Sequence, residues 1–563
     1  MSKAFTLVST VVNKYWLLFS LLLIFVSIFL MNFQTIGMSD EGYYLSTYQL
    51  FFKAPECNEG GFLFYLTSLI GGLWDFFFGK WGIISYRVLW ALVSMITFYY
   101  VVKILSEYIQ YRWWILTAFL LLNIGFFPGV FSNKSLSVLL GTVSLYYLSI
   151  FIIKNKRSSL FVASIILGLN VFCRLPNIVI LLLLPAAVFV HKKYRSDNGT
   201  KMLANLFVCF AGVAIGAGLV LVVMLALGHL GLFYKVLNDM LADGADSEAS
   251  HNYLSMLLFY LRDYAKVLGC FMLWSIGIIL LKRYFTKSML MVFVSICVSS
   301  ILIVLVLSVS PDRFRYSFVF LGLAIAMAIL YMCKYKERNL NVILLMSFLY
   351  VILQPIGTDY GNAIWGTLSP VVLLPASMIA FQKSIKDYPI SEIKIINTWL
   401  LVLLFIIVVV RTHYTLTTGS WADPGNRCVM KYSVTESSLG TVFTTKRKAE
   451  SIDALLRECD KYVKENDYLF CYMSIPLINY LSKTKPYLHC SSSAYYTPSA
   501  FNNQMKNAVK EKGSLPVVVY ENNVVGWKGW KEKKEIFEKF LNDNAYIEVW
   551  NNQDYRLLLP QKK

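Results

Sequence analysis

Met38-Ser39-Asp40-Glu41-Gly42-Tyr43-Tyr44 is the stretch on which the reading of this chain turns. It follows the first long apolar run, 15–33, by a few residues. Two adjacent carboxylates therefore stand where a first membrane helix would leave the bilayer. Gly42 behind them lets the chain turn, and Tyr43 and Tyr44 suit the membrane–water boundary. Such a pair is either a solvated acidic loop or a general base with an orienting or cation-binding neighbour. The rest of the chain has to decide between them.

Composition sets the class. The chain has 563 residues, 57% of them hydrophobic and 15% charged. Its mean hydropathy is +0.57. A soluble globule does not need so much apolar material, so this is a multi-span membrane protein. No small-residue cleavage site follows the first run, which predicts an uncleaved helix. Ten cysteines show neither a C-x-x-C pair nor a Cys/His ligand spacing, which argues against structural zinc.

About thirteen apolar runs are predicted to span: 15–33, 84–102, 113–127, 135–153, 159–173, 177–190, 203–228, 267–281, 288–309, 316–333, 340–353, 364–381 and 395–410. Pro176 disfavours helix at the residue before it, so Arg174-Leu175-Pro176 divides the fifth run from the sixth. With the N-terminus inside, the inner segments carry 20 basic residues against 5 acids, and the outer segments before the last span 10 against 12. That is the positive-inside asymmetry. Most of the net +19 is thus a topology signal and not a nucleic-acid footprint. N-in with thirteen spans places everything after about residue 411 outside the cytoplasmic membrane.

Residues 1–410 therefore read as a transmembrane domain and 411–563 as an extracytoplasmic domain. The first outer loop, 34–83, holds two apolar stretches, 45–52 and 62–78, expected as helices lying in the interface. The outer loop 229–266 ends in an amphipathic piece, 253–266. In the tail, helices are expected at 446–464, 476–482 and 532–542, and strands at 467–472, 516–520, 546–550 and 555–559. That alternation predicts a small α/β domain.

Ionisable groups are nearly absent from the span interiors, which counts against an ion-coupled transporter. They gather at the outer helix ends: Asp40, Glu41, Lys53, Lys134, Arg174, Asp243, Arg313, Arg315 and Asp359 among them. A cavity on that side with carboxylates and cations suits a phosphate-bearing lipid and a proton acceptor. Arg174 and the pair Arg313/Arg315 are the best phosphate candidates, because guanidinium binds phosphate in a bidentate fork. An interfacial lipid anchor is the plain alternative for each.

Here the residues meet a family. Asp40-Glu41-Gly42-Tyr43-Tyr44 after the first span resembles the first-loop acidic signature of the GT-C superfamily of membrane glycosyltransferases, in the aminoarabinose-transferase-like and protein O-mannosyltransferase-like branch. Gly168-Leu169-Asn170-Val171-Phe172-Cys173-Arg174-Leu175-Pro176 is similar to the branch's pattern of glycine, apolar run, basic residue and proline. Asp467-Tyr468-Leu469-Phe470 and Pro476-Leu477-Ile478-Asn479-Tyr480-Leu481 resemble a strand and helix of its outer domain. Two elements depart from the pattern. Phe131-Ser132-Asn133-Lys134-Ser135 lacks the acid often found in the second outer loop. Glu59-Gly60-Gly61-Phe62 replaces a His/Lys-Pro-Pro element.

The resemblance implies a sugar donor on a polyprenyl phosphate, drawn from membrane lipid, and inverting transfer to an acceptor hydroxyl on a lipid, glycan or protein. Asp40 is then the base and Glu41 its partner, or the reverse. Arg174, Arg313, Arg315 and Lys134 bind the donor phosphate, and Tyr43, Tyr44, Lys53, Asp243 and Asp359 line the cavity. The resemblance fixes no cofactor, and a divalent Mg or Mn, if used, would sit on Asp40 or Glu41. The competing readings are a polysaccharide polymerase or ligase, which does not need the tail domain, and a lipid or glycan transporter, which should show an inverted repeat.

Overall fold

The computed structural model describes residues 14–31, 33–123, 129–195, 199–245, 253–284, 313–358, 361–384, 423–435, 442–522 and 530–561, with isolated positions between 386 and 420. Among the described residues, five helical segments are long and apolar enough to cross a membrane: Glu59–Trp81, Ile83–Ile104, Asn133–Lys154, Leu175–Tyr194 and Lys201–Ala226. Trp365–Val371 and Leu373–Ser384 make a sixth if they form one span, bent by 64°. Pro370 sits non-helically at the bend, where its ring and missing N–H break the ladder. Trp16–Phe29, Arg157–Val171, Phe320–Lys334 and Arg338–Leu353 are apolar but shorter.

The expected run 288–309, and all but isolated positions of 395–410, lie outside the described residues, and the others fall on helices. Arg157–Val171 ends at the proline break, Arg174 is extended, and a 3-10 stretch, Leu175–Leu182, leads into the helix Leu183–Arg195. The stretch 62–78, expected as an interfacial helix, is helical within Glu59–Trp81, which its length and apolar composition would also allow to span. One reading changes. The piece 253–266 and the run 267–281 are one helix, Tyr253–Tyr284. Arg262, Asp263 and Lys266 interrupt the hydropathy there, but no proline interrupts the backbone.

The tail begins with two short antiparallel pairs, β1 (Gly419–Ser420) with β2 (Asp423–Pro424) and β3 (Tyr432–Ser433) with β4 (Phe443–Thr444). Its sheet joins β5 (Tyr468–Tyr472), β6 (Lys485–Pro486), β7 (Val517–Glu521), β8 (Tyr546–Asn551) and β9 (Tyr555–Pro560). The order is β6-β5-β7-β9-β8. Pairing is parallel around β5 and antiparallel around β9. Helices Lys446–Cys459, Leu477–Leu481 and Trp530–Asp543 fall where the alternation predicts them, and a further helix, Pro498–Lys512, lies between β6 and β7.

The tail grips the segment before Asp40. Thr35 N donates to Phe443 O at 2.8 Å, and Phe443 N to Phe33 O at 2.7 Å. Ile36 N donates to Asp423 Oδ2 at 3.0 Å, and Leu477 N to Met38 O at 3.2 Å. A backbone that pairs with another backbone is held in register. The tail and the acidic stretch therefore lie at one end of the helical region.

Candidate functional site

Asp40 and Glu41 do not sit in a turn. They open a helix, Asp40–Leu50, and stand in its first turn, where the backbone N–H groups favour negative charge. Gly42 is inside that turn, so its role differs from the chain reversal expected of it. A Cβ there would lie 2.3 Å from Leu477 N and 2.6 Å from Leu477 Cα. The helix backbone touches the backbone of the tail helix Leu477–Leu481, and only hydrogen fits between them.

The two carboxylates have opposite surroundings. Glu41 is 2% exposed. It accepts from Arg87 Nε at 2.9 Å, Arg87 Nη2 at 3.0 Å and Gly37 N at 2.8 Å. Arg87, 0% exposed, also donates to Thr35 O at 2.8 Å. This is a fork-to-fork buried ion pair that fixes residues 34–41. Both Glu41 oxygens already accept, so a cation on Glu41 would have to displace these donors. Asp40 is half-buried, and among the described residues its carboxylate has no hydrogen bond or ion pair. Charge without a partner is the state a general base needs.

One turn on from Asp40, Tyr44 is on the same helix face. Its hydroxyl donates to Asn133 Oδ1 at 2.9 Å. Asn133 and Lys134 open the helix Asn133–Lys154, which is started by a Ser132/Ser135 capping box. Ser137, one turn below Lys134, accepts from Asn177 Nδ2 at 2.7 Å and from Gln354 Nε2 at 2.9 Å. Gln354 O and Ile356 O in turn accept from Arg174 Nη2 at 2.9 and 2.7 Å. The helix Asn133–Lys154 thus carries contacts both to the Asp40–Leu50 helix, through Asn133, and to the segment that holds Arg174, through Ser137.

Arg174 lies deeper than the rim position expected of it, 6% exposed, with its guanidinium 4.7 Å from the Trp365 ring centre. Among the described residues its Nε and Nη1 have no hydrogen-bond partner. Tyr350 Oη, Gln354 Oε1 and Trp365 Nε1 are likewise buried without one. Buried polar groups are ordinarily satisfied, and a cluster left open is suited to a polar ligand. Gly357 has φ +85°, and a Cβ on it would lie 2.1 Å from Pro176 Cβ, which is how the 354–358 turn reaches Arg174.

The other expected residues divide. Tyr43 packs at 5.0 Å from the Tyr495 ring and 5.9 Å from Phe64. Lys53 is exposed beyond the far end of the Asp40–Leu50 helix, where its charge acts on Asp75, and the structure does not bring it to Asp40. Arg313 and Arg315 open the helix Arg313–Lys334, and Asp243 falls in the helix Leu230–Ala245. Asp359 lies outside the described residues. No group of three or more His, Cys, Asp or Glu side chains arranged for a metal occurs among the described residues.

Sequence reasoning missed Arg87 and Asp263. Arg87 was legible as an arginine inside an apolar run, which calls for a partner. Asp263, 2% exposed, accepts from Asn362 N at 2.5 Å and so ties the Tyr253–Tyr284 helix to the start of the helix Gly361–Leu368. No protein-family model and no curated protein matches the chain.

Proposed function

We propose that this chain is a GT-C-like, inverting glycosyltransferase of the cytoplasmic membrane. It would have thirteen spans, its N-terminus inside and its tail domain outside, and would use a polyprenyl-phosphate-linked sugar. The observation that carries the reading is that, among the described residues, the Asp40 carboxylate and two nitrogens of the buried Arg174 guanidinium, Nε and Nη1, have no hydrogen-bond partner.

The chemistry follows from those two groups. Asp40 accepts the proton of the acceptor hydroxyl as its oxygen attacks the anomeric carbon. The bond from that carbon to the phosphate oxygen breaks on the opposite face, and polyprenyl phosphate leaves with the electron pair. Arg174 and Lys134 hold the phosphate, whose charge grows as the bond breaks. Glu41 takes no part in proton transfer and positions Asp40 through Arg87. The reaction needs no metal for this balance. Mg or Mn at Asp40 is tested by whether a chelator abolishes transfer.

The reading is tested by incubating purified protein with undecaprenyl-phosphate-linked hexoses and pentoses and following release of undecaprenyl phosphate. Turnover of one donor is expected, and none with any donor sinks the proposal. Reporters fused at Lys193 should read inside, and those at Ala245 or Asn523 outside. An inside reading at Asn523 would remove the outer-face chemistry.

A further inference from the structure

Residues 491–497, Ser-Ser-Ser-Ala-Tyr-Tyr-Thr, form a tail loop pinned from two sides. Lys533 is 0% exposed, and its Nζ donates to Ala494 O at 3.0 Å, Tyr496 O at 3.2 Å and Ser493 O at 3.4 Å. No carboxylate pairs with it among the described residues. Burial pulls its ammonium down to about 8. From the other side, Met473 N donates to Ser493 Oγ at 2.8 Å, and Ser492 Oγ to Met473 O at 3.2 Å. Met473 itself has φ 70°, a backbone conformation that L side chains rarely adopt. A desolvated ammonium and a strained residue both work against folding. Their common result is one fixed loop.

That loop presents Tyr495. Its ring meets Tyr43 at 5.0 Å and 64°, yet Tyr495 remains 45% exposed. Tyr43 stands in the first turn of the Asp40–Leu50 helix, so the ring that meets it lies close to the carboxylate, whose charge adds to burial in raising the Tyr495 phenol. An open, rigid aromatic ring with a hydroxyl thus stands beside the unpartnered carboxylate. It comes from the tail, whereas Arg174 lies buried in the helical region.

We propose that Tyr495 forms the acceptor side of the Asp40 site and takes a sugar ring, with Lys533 as its positioning residue. The inference rests on the transferase reading and adds the acceptor class. The apolar C–H face of a pyranose covers an aromatic ring, while its hydroxyls reach the phenol and the carboxylate. Tyrosine does this at low cost in side-chain entropy. A lipid hydroxyl would arrive from the membrane side, where no tail residue is needed.

The test uses the full-length protein, the donor series above, and two acceptors: an oligosaccharide fraction released from cell envelopes and a Ser/Thr-rich peptide mixture. Tyr495→Ala should raise the KM for the oligosaccharide about 10-fold, with affinity for undecaprenyl phosphate unchanged. Tyr495→Phe, which keeps the ring, should restore most of that loss. Lys533→Met should raise the same KM without altering undecaprenyl phosphate binding, which a general loss of folding would not do. Wild-type KM in Tyr495→Ala overturns this inference and leaves the transferase reading standing. Transfer to peptide and not to oligosaccharide also overturns it. A wild-type protein that neither binds undecaprenyl phosphate nor turns over any donor overturns both.

Discussion

Arg87 and Arg174 are both buried arginines at the starts of helical segments, and the protein treats them differently. Arg87 is satisfied by a carboxylate and a backbone carbonyl within its own neighbourhood. Among the described residues Arg174 has two carbonyls and an aromatic face but no carboxylate, and two of its nitrogens are unpartnered. A guanidinium already paired with Glu41 is a strut. A guanidinium buried without a counter-ion is costly in isolation and becomes favourable when an anion arrives. The same residue type thus marks the scaffold in one region and the ligand in the other.

The largest effect is expected at the strut. Glu41→Gln leaves the Arg87 charge buried without its counter-ion and should cost about 3–5 kcal/mol, read as lowered thermal stability in detergent. Replacing both residues by apolar ones should recover part of the loss. A stable Glu41→Gln protein would remove the contrast between the two arginines.

Arg174→Ala should instead leave the fold in place and weaken undecaprenyl phosphate binding, by about 2–3 kcal/mol for lost charge-assisted hydrogen bonds. Arg174→Lys should lose less, since it keeps the charge and forfeits the fork. Wild-type affinity in Arg174→Ala would make this arginine structural as well.

Gly42→Ala tests the contact that places Asp40 against the tail. The added methyl has no room beside Leu477, and about 1–3 kcal/mol of overpacking is expected, measured as earlier proteolytic release of the tail. An unchanged cleavage pattern would show that the helix gives way instead.

The smallest effect is at the end of the tail sheet's middle strand, β7. Burial raises the Glu521 carboxyl to about 7, while Ser474 N–H and Lys448 oppose the shift. Its folded value exceeds the unfolded one of 4.5, so the folded state binds the extra proton between them. Stability is therefore full below about 4.5, falls as pH rises towards 7 and then levels, by at most about 2 kcal/mol once partial exposure is discounted. Glu521→Gln should flatten that slope. A slope that persists in the variant assigns it to another group.

What the sequence made legible follows from range. The tail's alternation of strand and helix is a local pattern, and β5, β7, β8 and β9 fall within a residue or two of their predicted places. The break at Pro176 is local too. Glu41 pairing with Arg87 spans 46 positions, and nothing local tells which of two adjacent acids will be locked. Gly42 read as a turn glycine because the backbone it must clear, Leu477, is in another domain. Nothing local singles out Tyr495, since its place depends on Lys533. Segment 62–78 was ambiguous for a different reason: its glycines and Asp75 lower the hydropathy without breaking the helix.

The central claim is that Asp40 is the base, and Asp40→Asn tests it most directly. The amide keeps size and hydrogen bonding but cannot take a proton at neutral pH. With Glu41 still locked on Arg87, the sugar-transfer rate should fall at least ~100-fold, while undecaprenyl phosphate binds as in wild type. Transfer at the wild-type rate by a well-folded Asp40→Asn protein would contradict the account.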